Sequence, residues 1–140
     1  MFLNDGQVRS PETNEIEIGK VLQHYFEGYL NAESDELLKA FHRDAKLFSV
    51  GSEGEIDSTD MNAWLLNLRT RKETGDVRKA KVEVLGVDVT CNTAVAKVKL
   101  NFSEFFFVDY LSLVKLNTNW IIINKIYSRG QNAGGSIVSY

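Results

Sequence analysis

Between Pro11 and Leu30 the apolar positions Ile18, Val21, Leu22, Tyr25, Phe26, Tyr29 and Leu30 recur at three- and four-residue spacing, one stripe of an amphipathic helix. Ser10 before Pro11 supplies a cap followed by a favourable first helical residue. "SDELLKAFH" (34–42) has a Ser cap, two acids in its first turn, and Leu37, Leu38 and Phe41 on one side, which predicts a short second helix. "AKLFSV" (45–50) reads as a strand that turns at "GSEG" (51–54). "STDMNAWLLNLRTR" (58–71) predicts a third helix with Met61, Trp64, Leu65 and Leu68 facing inward.

The period then changes from helical to alternating. In "KAKVEVLGVDV" (79–89) the apolar set Ala80, Val82, Val84 shifts phase to Leu85, Val87, Val89, and a slip beside Gly86 predicts a β-bulge. "AVAKVKLNF" (94–102) places Ala94, Ala96, Val98, Leu100 and Phe102 on one face and Lys97, Lys99 and Asn101 on the other. "FFFVDYLSLVKL" (105–116) and "WIIINKIY" (120–127) add two strands around "NTN" (117–119). Three helices followed by four antiparallel strands predict an α+β fold, with helices packed on a curved sheet. Ile121 and Ile123 point one way and Trp120, Ile122 and Ile126 the other, so both faces of the last strands are apolar. Helices can cover one face, and a second copy of the chain is the simplest cover for the other.

The last hairpin leaves two registers open. A two-residue turn sets Leu116 against Asn119 and Asp109 against Ile126, diagonal to Asn124. A three-residue loop with Asn119 left-handed sets Asp109 against Tyr127, diagonal to Lys125. The β-branched Thr118 resists the positive φ of a two-residue type I′ turn and favours the second. A slip of one residue changes which group answers the carboxylate.

Composition narrows the class. At 140 residues the chain fits one domain, able to bury roughly 70% of its unfolded surface without a metal or disulfide. Sixteen Lys and Arg against nineteen Asp and Glu leave a net charge of −3, so no overall basic field invites nucleic acid or an anionic membrane. The lone Cys91 offers no internal disulfide and no zinc pattern, and "MFLNDGQVRSPE" lacks the regions of a secretory signal, so a cytoplasmic protein is expected. HExxH, GxSxG, Walker and GxGxxG signatures are absent, which disfavours metal, nucleotide and covalent-serine chemistry and predicts no cofactor.

Helix–helix–strand–helix followed by long bent strands resembles the cone-shaped nuclear transport factor 2-like fold. "YFEGYLNAESDELLKAFHRDAKLFSV" (25–50), "VDYLSLVKL" (108–116) and "WIIINKIYSR" (120–129) are similar to the branch of that superfamily named "putative lumazine-binding". The resemblance implies an N-terminal arm at 1–11, the domain at 12–129 and a Gly-rich tail at 130–140. Its members include isomerases, dehydratases, cyclases, binders and association domains, so function has to be argued from the site.

Asp109, alone among Phe and aliphatic residues, is the first site candidate. It is either a structural hydrogen-bond or ion-pair partner, with Lys125 or Tyr127, or an acid, base or anchor on the concave face. His42 either caps the second helix or meets Asp109 as an oriented base. Tyr25, Tyr29, Phe48, Trp64, Tyr110 and Lys125 are candidate ligand contacts, the aromatics being core residues otherwise. "RTRKETGDVRKAK" (69–81), with six bases against two acids, reads as a solvated loop and edge strand, or as a receiver of anions. Three functions follow: a binder of a small apolar or aromatic ligand; an isomerase, dehydratase or cyclase using Asp109 and His42; or an association domain without a ligand.

Overall fold

A computed structural model describes residues 11–133 and 136–138. The Ser10 cap and the arm before it lie outside these residues, as do two glycines of the tail. The first stripe forms α1 (Pro11–Leu30), which buries Ile18, Leu22, Tyr25 and Phe26. The second helix, α2 (Ser34–Ala40), is shorter than its pattern suggests. Its N-cap is Glu33 rather than Ser34, and Phe41 is already extended at φ −108, ψ 135. Packing explains the early stop. The Phe41 ring is drawn inward against Trp64 and Tyr25, at centroid distances of 5.0 and 5.3 Å. Tertiary contacts thus override helix propensity.

Strand β1 (Phe41–Val50) therefore begins four residues before the apolar alternation does. An unforeseen edge strand, β2 (Ile56–Asp60), pairs with it antiparallel; "IDSTD" is exposed over most of its length and carries no alternating signal. The third helix, α3 (Met61–Thr74), starts and ends three residues later than expected. Asp60 sets its start by accepting from the Ala63 N–H at 2.9 Å, and Gly75, left-handed at φ 74, sets its end. Met61, Trp64 and Leu68 face the core as their spacing requires.

The remaining strands are β3 (Lys81–Thr90), β4 (Thr93–Phe102), β5 (Phe105–Leu116) and β6 (Asn119–Ala133), with a short β7 (Ser136–Val138) paired to the end of β6. The order is β2-β1-β6-β5-β4-β3, antiparallel except for the β1–β6 pair. The three helices lie on one face of this bent sheet, an α+β cone. The tail from Gly130 is thus partly strand, since β6 runs through it to Ala133. The expected bulge beside Gly86 is present: the β3–β4 register shifts between Val84 and Gly86.

A second bulge combines the two expected registers, giving the turn of the first and the Asp109 neighbours of the second. Leu116 pairs with Asn119, so the turn has two residues, and Asn117 takes the left-handed conformation at φ 57 while Thr118 and Asn119 avoid it. Leu113 then pairs with Ile122 but Ser112 with Asn124, leaving Ile123 unpaired. From there Asp109 faces Tyr127, and Lys125 faces Leu111. The bulge reverses the expected orientation of Ile126, which is 52% exposed on the outer face, and turns Lys125 into the cone.

Helices α1 and α2 meet at Gly28, where an added Cβ would lie 2.6 Å from the Leu37 backbone nitrogen. Gly19, on the same helix, has nothing within 4 Å of such a Cβ. Gly28→Ala is expected to lower unfolding free energy by about 1–3 kcal/mol through overpacking, and Gly19→Ala to raise it by about 0.5–1 kcal/mol. Urea denaturation of the two variants checks both signs.

Candidate functional site

Asp109 lies at the centre of β5, between Val98 of β4 and Tyr127 of β6, and is only 1% exposed. A lone buried carboxylate costs several kcal/mol, so its surroundings must answer it. The answer comes from two elements. Tyr25, projecting from α1, donates its hydroxyl to Asp109 Oδ2 at 2.5 Å. Lys125, diagonal to Asp109 on β6, donates from Nζ to the Tyr25 Oη at 2.8 Å and stands 4.0 Å from Oδ2. Phenol, ammonium and carboxylate form a short chain, with the phenol in the middle. Asp109 Oδ1 accepts no hydrogen bond from the described residues.

Lys125 is 6% exposed, and its ammonium sits over four rings: Trp64 at 4.7 Å, Tyr25 at 5.0 Å, Tyr127 at 5.1 Å and Tyr29 at 5.6 Å. Such faces favour a cation in a dry site. Burial nevertheless lowers the Lys125 pKa from its ordinary value, and the charge of Asp109 opposes that shift. Burial, then the charge and hydrogen bond of Asp109, hold the Tyr25 hydroxyl well above its ordinary pKa, so it stays a donor.

These groups border a cavity of about 320 Å³. Its aromatic wall is Tyr25, Tyr29, Trp64, Phe107 and Tyr127, and its basic groups are Lys125, Arg71 and Arg78. Arg71 is mainly a clamp: its guanidinium donates to the Tyr29 and Leu30 carbonyls at 2.6 and 3.1 Å, at the C-terminus of α1, and to the Asp76 carbonyl at 3.1 Å. Arg78 donates to the Tyr29 hydroxyl at 2.9 Å and to Asp76 Oδ2 at 3.2 Å. The cavity therefore gathers three cations against the two carboxylates of Asp109 and Asp76, a positive site walled by rings.

Of the candidates from the sequence, Tyr25, Tyr29, Trp64 and Lys125 line this cavity together. Asp109 is set one side chain back, reaching it through Tyr25. His42 does not join them. It lies where the β1–β6 register breaks between Phe41 and Lys46, and its Nδ1 accepts from the Asp44 N–H at 3.0 Å. Phe48 and Tyr110 both pair with Ile126 and so share the opposite face of the sheet. Alternation is the reason, since Leu47, beside Phe48, is the cavity residue. Phe107 is absent from the sequence candidates and Tyr127 figures there only as a neighbour of Asp109, although each lies two positions from an inward residue, Asp109 and Lys125. Arg71 and Arg78 were hidden in the basic run, whose excess of charge was the available signal.

Among the described residues no cluster of His, Cys, Asp and Glu could hold a metal, and no helix is long and apolar enough to cross a membrane. The helices over a bent sheet, with an aromatic hollow beside them, are the arrangement of the nuclear transport factor 2-like fold. A family model described as "Putative lumazine-binding" matches residues 13–128, and the chain belongs to that family. It is similar to an NTF2-like protein of unknown function from Shewanella baltica, at 22% identity and TM-score 0.77 over 87% of this chain and 98% of that one. A similar protein from Silicibacter pomeroyi gives 16% identity and TM-score 0.74 over 86% and 99%. Aldolase FrzH of a Cladobotryum species is 24% identical over 103 residues, 74% of this chain and 81% of that protein.

Tyr25→Phe removes the donor to Asp109 Oδ2 and is expected to cost about 1–3 kcal/mol near pH 8. With its pKa raised above 10.0, native Tyr25 keeps a proton that the unfolded chain releases, so its contribution is complete below pH 10 and is lost as pH climbs beyond it. The gap between wild type and Tyr25→Phe should therefore narrow above pH 10. Denaturant titrations from pH 8 to 11 measure it.

Proposed function

We propose that the cavity binds a planar small molecule, with its ring against Tyr29, Trp64 and Tyr127 and a carbonyl or enolate oxygen at the Lys125 ammonium. The observation that carries this reading is the Lys125 ammonium, anchored by one of its three N–H groups to the Tyr25 oxygen, bordering an aromatic hollow of about 320 Å³. Sites for small molecules combine such apolar walls with a few convergent polar groups. The surplus of cations favours an electron-rich or anionic ligand over a neutral one. Family membership points the same way in its name, and a cavity this size argues against a domain that only associates.

Titration with 2-naphthoate and with neutral 2-naphthalenemethanol, followed by tryptophan emission, tests this. Binding should quench Trp64, and the quench should persist in Trp120→Phe. Arg78→Gln should weaken naphthoate about 10–100-fold, the worth of a charged donor, and leave the alcohol nearly unchanged. Trp64 emission that responds to no ring probe would remove the proposal.

A second reading, proton transfer next to a ligand carbonyl, is favoured by the chain from Nζ through Oη to Oδ2, and by the similarity to a protein named as an aldolase. Tyr25 and Lys125 replace His42 in this version, with Asp109 behind them.

We also infer that the outer sheet face pairs two copies of the chain. Phe48, Ile126 and Tyr110 form one row across β1, β6 and β5, and Ile126 and Tyr110 are 52% and 47% exposed. A row of this kind asks for cover. Sedimentation at micromolar concentration should show a dimer and Ile126→Lys a monomer; a monomeric wild type refutes the pairing.

A further inference from the structure

We propose that Lys125 is a nucleophilic amine that condenses with a ketone or aldehyde of the bound ligand to form an imine, while Tyr25 and Asp109 carry its protons. This rests on the ligand reading above and names the reactive group of the ligand. A lysine present only to neutralise Asp109 would meet it directly. Here the phenol stands between them, with Nζ 2.8 Å from Oη, Oη 2.5 Å from Oδ2, and Nζ 4.0 Å from Oδ2. The ammonium thus donates to an oxygen that is itself donating to the carboxylate. One concerted shift moves a proton from Nζ to Oη and another from Oη to Oδ2. The product is a neutral amine beside a neutral carboxylic acid, so the shift removes two buried charges at once. Burial favours that outcome for the amine, as its lowered pKa shows.

The chemistry then balances. The Nζ lone pair forms a C–N bond as the carbonyl π pair moves to oxygen. An N–H proton passes to that oxygen, giving a carbinolamine. The C–O bond breaks, and the hydroxyl leaves as water with the proton held on Asp109, relayed back through Tyr25. The ammonium and carbonyl have become an iminium and one water, and the carboxylate is restored. The iminium inherits the rings that faced the ammonium, Trp64 at 4.7 Å, Tyr127 at 5.1 Å and Tyr29 at 5.6 Å, so its charge stays where the site already accepts one. Lys125 borders the cavity, so a carbonyl held against Tyr29 and Trp64 lies within reach of the amine.

The probe is 1-phenylbutane-1,3-dione, whose condensation with an amine gives a conjugated enaminone that absorbs in the near ultraviolet. With the full chain at neutral pH, the adduct should map by peptide mass to Lys125 and form on the order of 100-fold faster than on exposed Lys39 or Lys72, the scale of acid–base assistance. Tyr25→Phe and Asp109→Asn each break the proton chain. Whichever retains the wild-type circular dichroism should label Lys125 on the order of 100-fold more slowly. Adducts spread without preference over exposed lysines, or equal labelling in a folded variant, overturn the proposal. Quenching of Trp64 by 2-naphthoate without a Lys125 adduct refutes the imine chemistry and leaves the ligand reading standing; no quench and no adduct refutes both.

Discussion

A buried ammonium that reaches its carboxylate through a phenol is the interaction on which the interior of this protein depends. Asp109 could not stand in the middle of β5 without it, because an unanswered carboxylate in that setting costs more than most single contacts return. Lys125 alone would answer it as an ordinary ion pair between neighbouring strands. Tyr25 interposes itself by taking the hydrogen bond to Asp109 and offering its own oxygen to Lys125. The amine is consequently held at the boundary of the hollow, solvated by rings and one hydroxyl. The Tyr25–Asp109 hydrogen bond ties α1 to the centre of β5.

The helices are arranged to keep that phenol in place. Arg71, from the far end of α3, holds the last carbonyls of α1, while Gly28 lets α2 press against α1 at backbone distance. Phe41 and Trp64 then fill the space beside Tyr25 edge-on. Loosening any of these would let the hydroxyl drift from Asp109 Oδ2, the carboxylate oxygen it answers. The outer basic residues of the same run, Arg69, Lys72 and Lys79, are exposed, so its excess charge is divided between a surface and a site.

What could be read from the sequence followed from period. The stripe on α1, the inward face of α3 and the bulge beside Gly86 each leave a phase in the residues, and the fold class follows from their order. The hairpin bulge leaves none. Ile123 sits in "WIIINKIY", where every position before Asn124 is equally apolar, so an unpaired residue produces no slip that a pattern could reveal. Strand β2 is similarly silent because an exposed edge needs no alternation, and Phe41 looks helical until the rings around it are known. His42 was drawn toward Asp109 by chemistry alone; its position in an irregular stretch of β1 depends on a parallel pairing with β6 that no local signal encodes. Arg71 could not be told from its neighbours because burial of a guanidinium depends on the carbonyls it meets, and those lie about forty positions away, a separation at which local patterning carries no information.

The bulge at Ile123 also joins the two faces of the sheet into one problem. An extra residue on one strand shifts every later side chain of that strand to the opposite side relative to its neighbours. Lys125 goes in because Ile126 goes out, and Ile126 falls into line with Phe48 and Tyr110 by the same step that sets Tyr127 against Asp109. The apolar row outside and the amine inside cannot be chosen separately. Any register that buried Ile126 in the cone would send Lys125 to the outer face and leave Asp109 facing an aliphatic chain. The penalty of stranding that carboxylate selects the bulged register from within, and cover over the outer row would reinforce the same choice from without.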